Sequence, residues 1–492
     1  MKRFVSFLQS CYNQKQEIQG RCVGVPQWIR RFFDCQSMIR EAQKIDVIPP
    51  SREVYGNTFN IAWPSAVESV LVGLVGVIDT MMVGTIGPEA IAAVGITNQP
   101  KLIFLAVIMS LNVGVTAVVA RKRGEEDAQG ANGVLRQSIL LSAAFSIVST
   151  IVGVLFAQEI MEFAGAGADI LDDATAYFKI IMLGMFFNSL SMTINAAQRG
   201  VGRTKIAMRT NLVANGLNVV FNYLLIGGNL GFPRLGVRGA AIATVIGLSV
   251  AFLMSVISVL HHGQFLSLRA HGSWRFQGQT MRSLCKVGSS ALIEQLCLRF
   301  GFFTYAKIVA SLGTVAFATH QICMNILSIS FSFGDGLSVA ASSLVGQSLG
   351  AKRADMAIVY GKVCQRMALI IASVLMVCFL FGRRVIMMAF TNDEAVISQG
   401  AVIIILIGLI CMIQMSQVVI MGCLRGAGDT RFTAAVSLIS VAVIRPGSAW
   451  LFCYPLALGL MGAWYSLCFD QIIRMVLSMV RFSGGNWTEI KL

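Results

Sequence analysis

Ala197-Gln-Arg-Gly-Val-Gly-Arg-Thr-Lys205 returns later in the chain as Cys423-Leu-Arg-Gly-Ala-Gly-Asp-Thr-Arg431, and 425 − 199 sets the offset at 226 residues. The same offset pairs Glu68 in Val-Glu-Ser-Val with Glu294 in Ile-Glu-Gln-Leu, Ile86-Gly87 with Leu312-Gly313, and Gly124 with Gly350. Near Gly236 and Gly459 it slips to 223, a short indel in a connection. Single matches are weak, but a register held from Glu68 to Lys205 is hard to produce by chance. The chain therefore reads as two similar halves, each mostly apolar and roughly 200 residues long.

Hydrophobic residues make up 55% of the 492 positions and charged residues 13%, with a mean hydropathy of +0.71. A soluble domain carries about 25% charge, so the composition points to a polytopic membrane protein. Apolar runs of about 20 residues give about twelve helices. They fall near 57–84, 92–120, 136–158, 172–197, 207–229, 237–260, 285–309, 315–346, 364–388, 398–423, 432–455 and 459–481. The runs are too long, and alternate too little, for strands.

The net charge of +15 raises nucleic acid as a partner. Its distribution argues against that. Basic residues cluster in alternate connections: Arg121-Lys-Arg123, Arg199 to Arg209, Arg269 to Lys286, Lys352-Arg353 with Lys362, and Arg425 with Arg431. Residues 84–92 and 158–173 contain no Lys or Arg. The positive-inside rule then places both termini in the cytoplasm and gives each half an even number of spans. The expected fold class is all-α integral membrane, with two six-helix lobes related by a pseudo-two-fold axis along the membrane normal. Residues 1–56 form a cytoplasmic tail, 57–262 the N-lobe, 263–284 the inter-lobe linker, 285–482 the C-lobe and 483–492 a C-terminal tail. Two similar hydrophobic halves are the signature of a secondary transporter whose substrate path runs between them. The partners expected are small-molecule substrates and the lipid bilayer, without nucleic acid, an obligate protein partner or a cofactor.

The N-terminal tail has no signal-peptide core, because Gln9, Asn13, Gln14 and Gln16 interrupt it. Trp28-Ile-Arg-Arg-Phe-Phe33 suits either an anionic membrane surface or a poorly ordered tail. The twelve cysteines are scattered without a CxxC pair, and the four histidines lack metal spacing.

The first span carries Trp63-Pro-Ser65, Ile78-Asp-Thr-Met-Met-Val-Gly84 and Ile86-Gly-Pro-Glu-Ala90. The second half carries Leu312-Gly313, Thr319-His-Gln321 and Leu344-Val-Gly-Gln-Ser-Leu-Gly350. The fourth and tenth spans end in Arg-Gly-x-Gly-x-Thr, and the fifth contains Asn218-Val-Val-Phe-Asn222-Tyr223. In order and spacing this series resembles the multidrug and toxic compound extrusion (MATE) family of cation-coupled efflux antiporters, over residues 57 to 482. The resemblance implies a central cavity open alternately to each side and export of lipophilic, often cationic, compounds driven by protons or sodium. It implies a bacterial plasma membrane as the location.

Ionisable groups at bilayer depth are expensive and therefore functional candidates. Asp79 sits late in an otherwise uncharged stretch of the first span. Asn218 and Asn222 lie four apart on one face of the fifth, and Thr244 lies in the sixth. In the family resembled, these four positions line a cation site in the N-lobe, and some relatives carry a second acid where this chain has Asn222. One formal charge suits proton uptake or a sodium ion held by mixed oxygens. An acid at the Glu294 position belongs to a C-lobe cation group in that family, with an aspartate eleven residues before the arginine of Arg-Gly-x-Gly. That count lands on Gln414, so the second carboxylate is missing. Glu294, Gln414 and Gln417 remain candidates for a C-lobe cation or substrate site, with Arg299 a partner for Glu294. Glu68, near the start of its span, is expected either to place a charge in the cavity or to pair with a cation. The glycines around Asp335 imply a broken or closely approached helix, with the acid either facing the cavity or capping a kink. Arg445-Pro446 implies a kink with a cation facing the path. Lys101 and Lys307 are expected to snorkel to the interface.

A lipid-linked oligosaccharide flippase would need several arginines for pyrophosphate, and Arg299 and Arg445 are too few. An integral-membrane enzyme would need a reactive constellation, and the chain has no His-x-x-x-His or DDxxD motif.

Overall fold

A computed structural model describes residues 32–490, apart from 262, 271, 273 and 392. Twelve long helices follow one another. The first six are α1 (Ser51–Gly84), α2 (Pro88–Gly124), α3 (Ala128–Leu155), α4 (Leu171–Gly200), α5 (Thr204–Gly227) and α6 (Gly236–Leu260). The second six are α7 (Gly278–Ala310), α8 (Thr314–Gly350), α9 (Ala354–Met388), α10 (Glu394–Ala427), α11 (Thr430–Cys453) and α12 (Gly459–Gly484). A short helix, Ala157–Phe163, follows α3. Among the described residues, nine of the twelve are long and apolar enough to cross a membrane on length and composition alone. The other three, α5, α7 and α12, are of similar length and more polar.

Each expected span has its helix, and most helices run further than expected. Helix α1 begins at Ser51, α9 at Ala354, and α7 at Gly278, inside the expected linker. Hydropathy detects only the segment inside the hydrocarbon layer, about 30 Å thick. The helices continue past it on polar residues and stop at local signals. Gly87 and Gly313 take φ of +149° and +111°, a region side chains rarely enter, and so end the turns before α2 and α8. The left-handed positions repeat with the sequence: Glu126 and Lys352 at +58° and +57°, Gly202 and Gly428 at +84° and +87°.

Packing repeats as well. Helix α4 sits against α2, α3 and α6, and α10 sits against α8, α9 and α12. Helices α5 and α6 pair as α11 and α12 do, and α1 lies on α5 as α7 lies on α11. The lobes meet through α1 on α8 and through its counterpart, α7 on α2, with α2 crossing α8 between them. At that crossing a side chain on Gly124 would strike the Gln347 carbonyl, and one on Gly350 would strike the Arg121 carbonyl. Gln347 Nε2 and Ser343 Oγ of the C-lobe both donate to the Gly200 carbonyl of the N-lobe, at 2.9 and 3.1 Å. This closure lies at the end of the molecule that carries the basic connections.

Residues 32–50 depart from a poorly ordered tail. They leave α1 of the N-lobe and dock on α9 of the C-lobe. Cys35, Met38, Ile39 and Ile48 are buried with Met356, Val359 and Val363. Arg353 pairs with Asp46 at 3.2 Å and donates to the Val47 carbonyl, and Lys362 Nζ donates to the Met38 carbonyl at 2.5 Å. The aromatic and basic segment proposed for a membrane surface lies mostly outside the described residues; its Phe32 ring carries Arg366 at 4.7 Å. At the other terminus the Ile490 carbonyl accepts from Arg121 of α2 at 2.7 Å. Both terminal segments thus cross from one lobe to the other at the closed end. Replacing Ile48 by Asp puts an unpaired carboxylate into the docked face. Trypsin should then cut at Lys44 about tenfold faster than in wild type while the helical body stays resistant. An unchanged cleavage rate would show that the buried face does not hold the segment.

Candidate functional site

In the N-lobe, the four-residue spacing of Asn218 and Asn222 aims both amides from α5 toward α1. Asp79 stands five residues before the end of α1, toward the end of the molecule without basic connections. Asn222 Nδ2 donates to Asp79 Oδ1 at 2.7 Å. A carboxylate only accepts, so the Asn218 amide is oriented with its nitrogen toward Asp79. It donates to Oδ1 and Oδ2 at 2.7 and 3.2 Å, and its oxygen accepts from Thr244 N and Oγ1 at 3.2 and 3.1 Å. These hydrogen bonds bring the four expected residues together. Asn222 is 1% exposed, and its Oδ1 has no hydrogen-bond partner.

The surroundings add two residues that the sequence reading did not place here. Lys101 of α2 is half-buried within electrostatic reach of Asp79 and donates to Asn98 Oδ1 at 2.9 Å. Tyr177 of α4 is buried and also within reach of Asp79. The signal for Lys101 was available: an ionisable side chain well inside an apolar span.

The repeat-paired acids occupy a second layer. Glu68 is near the middle of α1 rather than near its start, because the helix begins at Ser51. It pairs with Arg199, at the end of α4, and accepts from Asn211 Nδ2 at 2.5 Å. Glu294 of α7 pairs with Arg425, at the end of α10, at 2.5 Å and accepts from Thr433 Oγ1 at 2.9 Å. Acid and arginine stand 131 residues apart in both lobes. The partner is the arginine of the repeated Arg-Gly motif, not Arg299. Five residues along a helix turn the side chain about 140° away.

Gln414 and Gln417 do not join this layer. They lie about 16 and 12 Å along α10 from Arg425. Gln417 is buried with both amide atoms unpartnered. Helix α8 is unbroken at Asp335; its glycines serve close approach, and a Cβ added to Gly336 would strike the Ala66 backbone. Asp335 hydrogen-bonds Ser69 and lies within reach of Glu68, Arg199 and Arg425, so it joins the two lobes electrostatically. Arg445 is not a cation facing a path. It is 1% exposed, its Nε lies 3.0 Å from Asp470 Oδ2, and its guanidinium sits 4.8 Å over Phe302. The kink before Pro446 is a π-helical segment, Leu438–Ile444, which gives the proline ring room. Asp470 and Arg474 on α12 were missed in the sequence.

Two six-helix lobes with a polar cluster in one and a charged layer between them define a transporter of repeat architecture. The MatE family profile matches residues 64–224 and 291–451, one copy in each lobe, and the chain belongs to that family. It is 29% identical to "Probable multidrug resistance protein NorM" of Thermotoga maritima, over 89% of this chain and 94% of that one. It is 26% identical to "Uncharacterized transporter YisQ" of Bacillus subtilis, over 88% and 94%. The fold matches an outward-facing multidrug resistance MATE transporter of the MOP superfamily with a TM-score of 0.82, at 20% identity, over 88% of this chain and 96% of that one.

Replacing Arg425 by Met leaves Glu294 buried without its cation, which costs about 3–5 kcal/mol. The purified protein should melt at a clearly lower temperature in detergent, and adding Glu294→Gln should restore most of the loss. Equal melting of R425M and wild type would mean that the pair does not hold α7 to α10.

Proposed function

We propose that the protein exports lipophilic organic cations by alternating access, driven by proton or sodium entry at Asp79. The observation that carries this reading is the cluster itself. A carboxylate held by Asn218 and Asn222 stands near the end of the molecule opposite the basic connections. Charge asymmetry supports a cytoplasmic basic end, and the bacterial relatives support a bacterial plasma membrane. The lobes are then closed inward, and Asp79 lies on the outward side, where a coupling ion arrives. A proton removes the charge that draws two amide donors to α1. A sodium ion would be met by the carboxylate, the two amide oxygens after rotation, and the Thr244 hydroxyl. Either event changes how α1 sits on α5. Coupling follows if the two cavity states differ in affinity for both ion and substrate. The names of the relatives, multidrug resistance proteins among them, support drugs or toxic metabolites as cargo.

The flippase alternative loses further ground here. Arg199, Arg425 and Arg445 are committed to Glu68, Glu294 and Asp470, so they are not available to a pyrophosphate.

The test is ethidium efflux from proteoliposomes under separately imposed proton and sodium gradients, with Asp79→Asn alongside. Wild type should respond to one gradient, and D79N should lose at least about 90% of that response, as expected when a group is required for coupling rather than binding alone. Gradient-driven efflux that persists in D79N would remove Asp79 from coupling.

A further inference from the structure

At the basic end of the C-lobe, the first turns of α7 and α11 border a cleft of about 600 Å³. Arg282, Lys286 and Arg431 line it, together with Gln279, Ser283 and Ser289. Three cations from two helices thus share one recess, with amide and hydroxyl donors between them. The acids nearest in sequence are engaged elsewhere. No Asp or Glu occurs between Asp173 and Glu294. Glu294 is held by Arg425, and Asp429, two residues before Arg431, is held by Arg481 at 2.8 Å.

The cleft sits where the apolar segments of both helices begin, near residues 285 and 432. That is the level of the lipid headgroups. The face of α7 that carries Arg282, Lys286 and Ser289 continues, at steps of four and three, through Ile293, Leu296, Phe300 and Phe303. These four side chains are 52, 48, 60 and 71% exposed. The helix packs through its other faces: Leu284 and Gly288 lie against Gly114 and Ser110 of α2, and Glu294 and Gly301 against Thr433 and Val441 of α11. Donors for a phosphate at one end of a stripe, and exposed hydrocarbon along the rest, match an amphiphile. The repeat frame does not demand the cations. The apolar stripe recurs on α1, where Val67, Leu74 and Val77 are exposed. There, Gly56 and Asn60 stand one repeat before Arg282 and Lys286, and Glu53 one repeat before Gln279. Of the three cations only Arg431 has a basic counterpart, Lys205.

We propose that this cleft binds an anionic phospholipid, with its phosphate between Arg282, Lys286 and Arg431 and its acyl chains along the exposed stripe of α7. Basic recesses between membrane helices suit such headgroups. A soluble phosphate compound would use the cations and leave the stripe empty, so the stripe decides for lipid. The bound lipid bridges α7 to α11 beside the Glu294–Thr433 hydrogen bond. It fastens to its own lobe the helix through which the C-lobe meets α2. The inference is independent of the coupling ion and of the cargo.

Cys285 is an exposed thiol in the wall of the cleft and serves as the reporter. Purified full-length protein in neutral detergent is alkylated with N-ethylmaleimide. The Cys285 peptide is followed by mass spectrometry, with the exposed Cys378 of α9 as the reference. At about ten times its dissociation constant, phosphatidylglycerol should slow alkylation of Cys285 about tenfold and leave Cys378 unchanged. Phosphatidylcholine with the same chains should protect neither thiol. In the triple variant R282Q/K286Q/R431Q, compared with and without lipid, the half-protecting concentration of phosphatidylglycerol should rise on the order of a hundredfold. Protection that the variant retains, or equal protection by phosphatidylcholine, would show general coverage by the micelle and overturn the proposal. So would the absence of any protection in wild type. Equal protection by glycerol 3-phosphate, a phosphate without chains, would assign the cleft to soluble anions and overturn the lipid.

Discussion

A charged side chain inside a hydrocarbon layer must find its opposite on a neighbouring helix, and that requirement organises each lobe. Glu68 and Arg199 tie α1 to α4, and Glu294 and Arg425 tie α7 to α10. The two arginines sit at the ends of the central helices of their lobes, just before the turns at Gly202 and Gly428. Each reaches back along its helix to an acid near mid-depth. Helices α1 and α7 are the ones that also touch the opposite lobe, through α8 and α2. The ion pairs therefore fix each interface helix to its own lobe. A rocking motion between lobes can leave both pairs intact.

With those pairs satisfied, the asymmetry between lobes becomes functional. The position one repeat after Asp79 is Tyr305, buried, with its hydroxyl donating to the Ala463 carbonyl at 2.9 Å. The position one repeat after Asn222 is Ser448, which shares a hydrogen bond with Ser466 at 2.8 Å. These two positions are thus neutral in the C-lobe. The acid near them, Asp470, is held by Arg445 and lies within reach of Arg474. The repeat supplies the frame twice, and a carboxylate held by two amides stands at this position in one copy only.

The repeat and the twelve spans were legible because both depend on local chain properties: a register of 226 residues and runs of apolar side chains. The N-lobe grouping was legible through the motifs that resemble the family, since nothing in spacing alone joins Asp79 to Asn218 across 139 residues. Partners of buried charges were harder to read. Hydropathy says that a charge is buried and says nothing of what faces it. Glu294 was matched to Arg299 on its own helix, whereas its partner lies on another. The second copy held the clue: Glu68 and Arg199 share the offset of Glu294 and Arg425. Asp470 and Arg474 carried no motif, and Lys101 was expected to snorkel although it lies well inside the 92–120 span. Helix α2 runs through Pro100 to Gly124.

Asp335 limits how the lobes can move. It belongs to the C-lobe through α8 but faces Ser69, Glu68 and Arg199 of the N-lobe as well as Arg425. Opening the basic end separates α1 from α8, withdraws Gly336 from the Ala66 backbone, and takes Asp335 away from Arg199. Arg425 belongs to the same lobe as Asp335 and travels with it, so the acid keeps a counter-charge throughout. Arg199 keeps Glu68. Among these four charged groups none is stranded by the motion. The cost of opening then falls on other contacts: the glycine crossing of α2 over α8, the hydrogen bonds to the Gly200 carbonyl, and the two terminal segments that bridge the lobes. Contacts of that kind break and re-form individually. The proposed alternation between two states would break and restore them, with the terminal segments part of the balance.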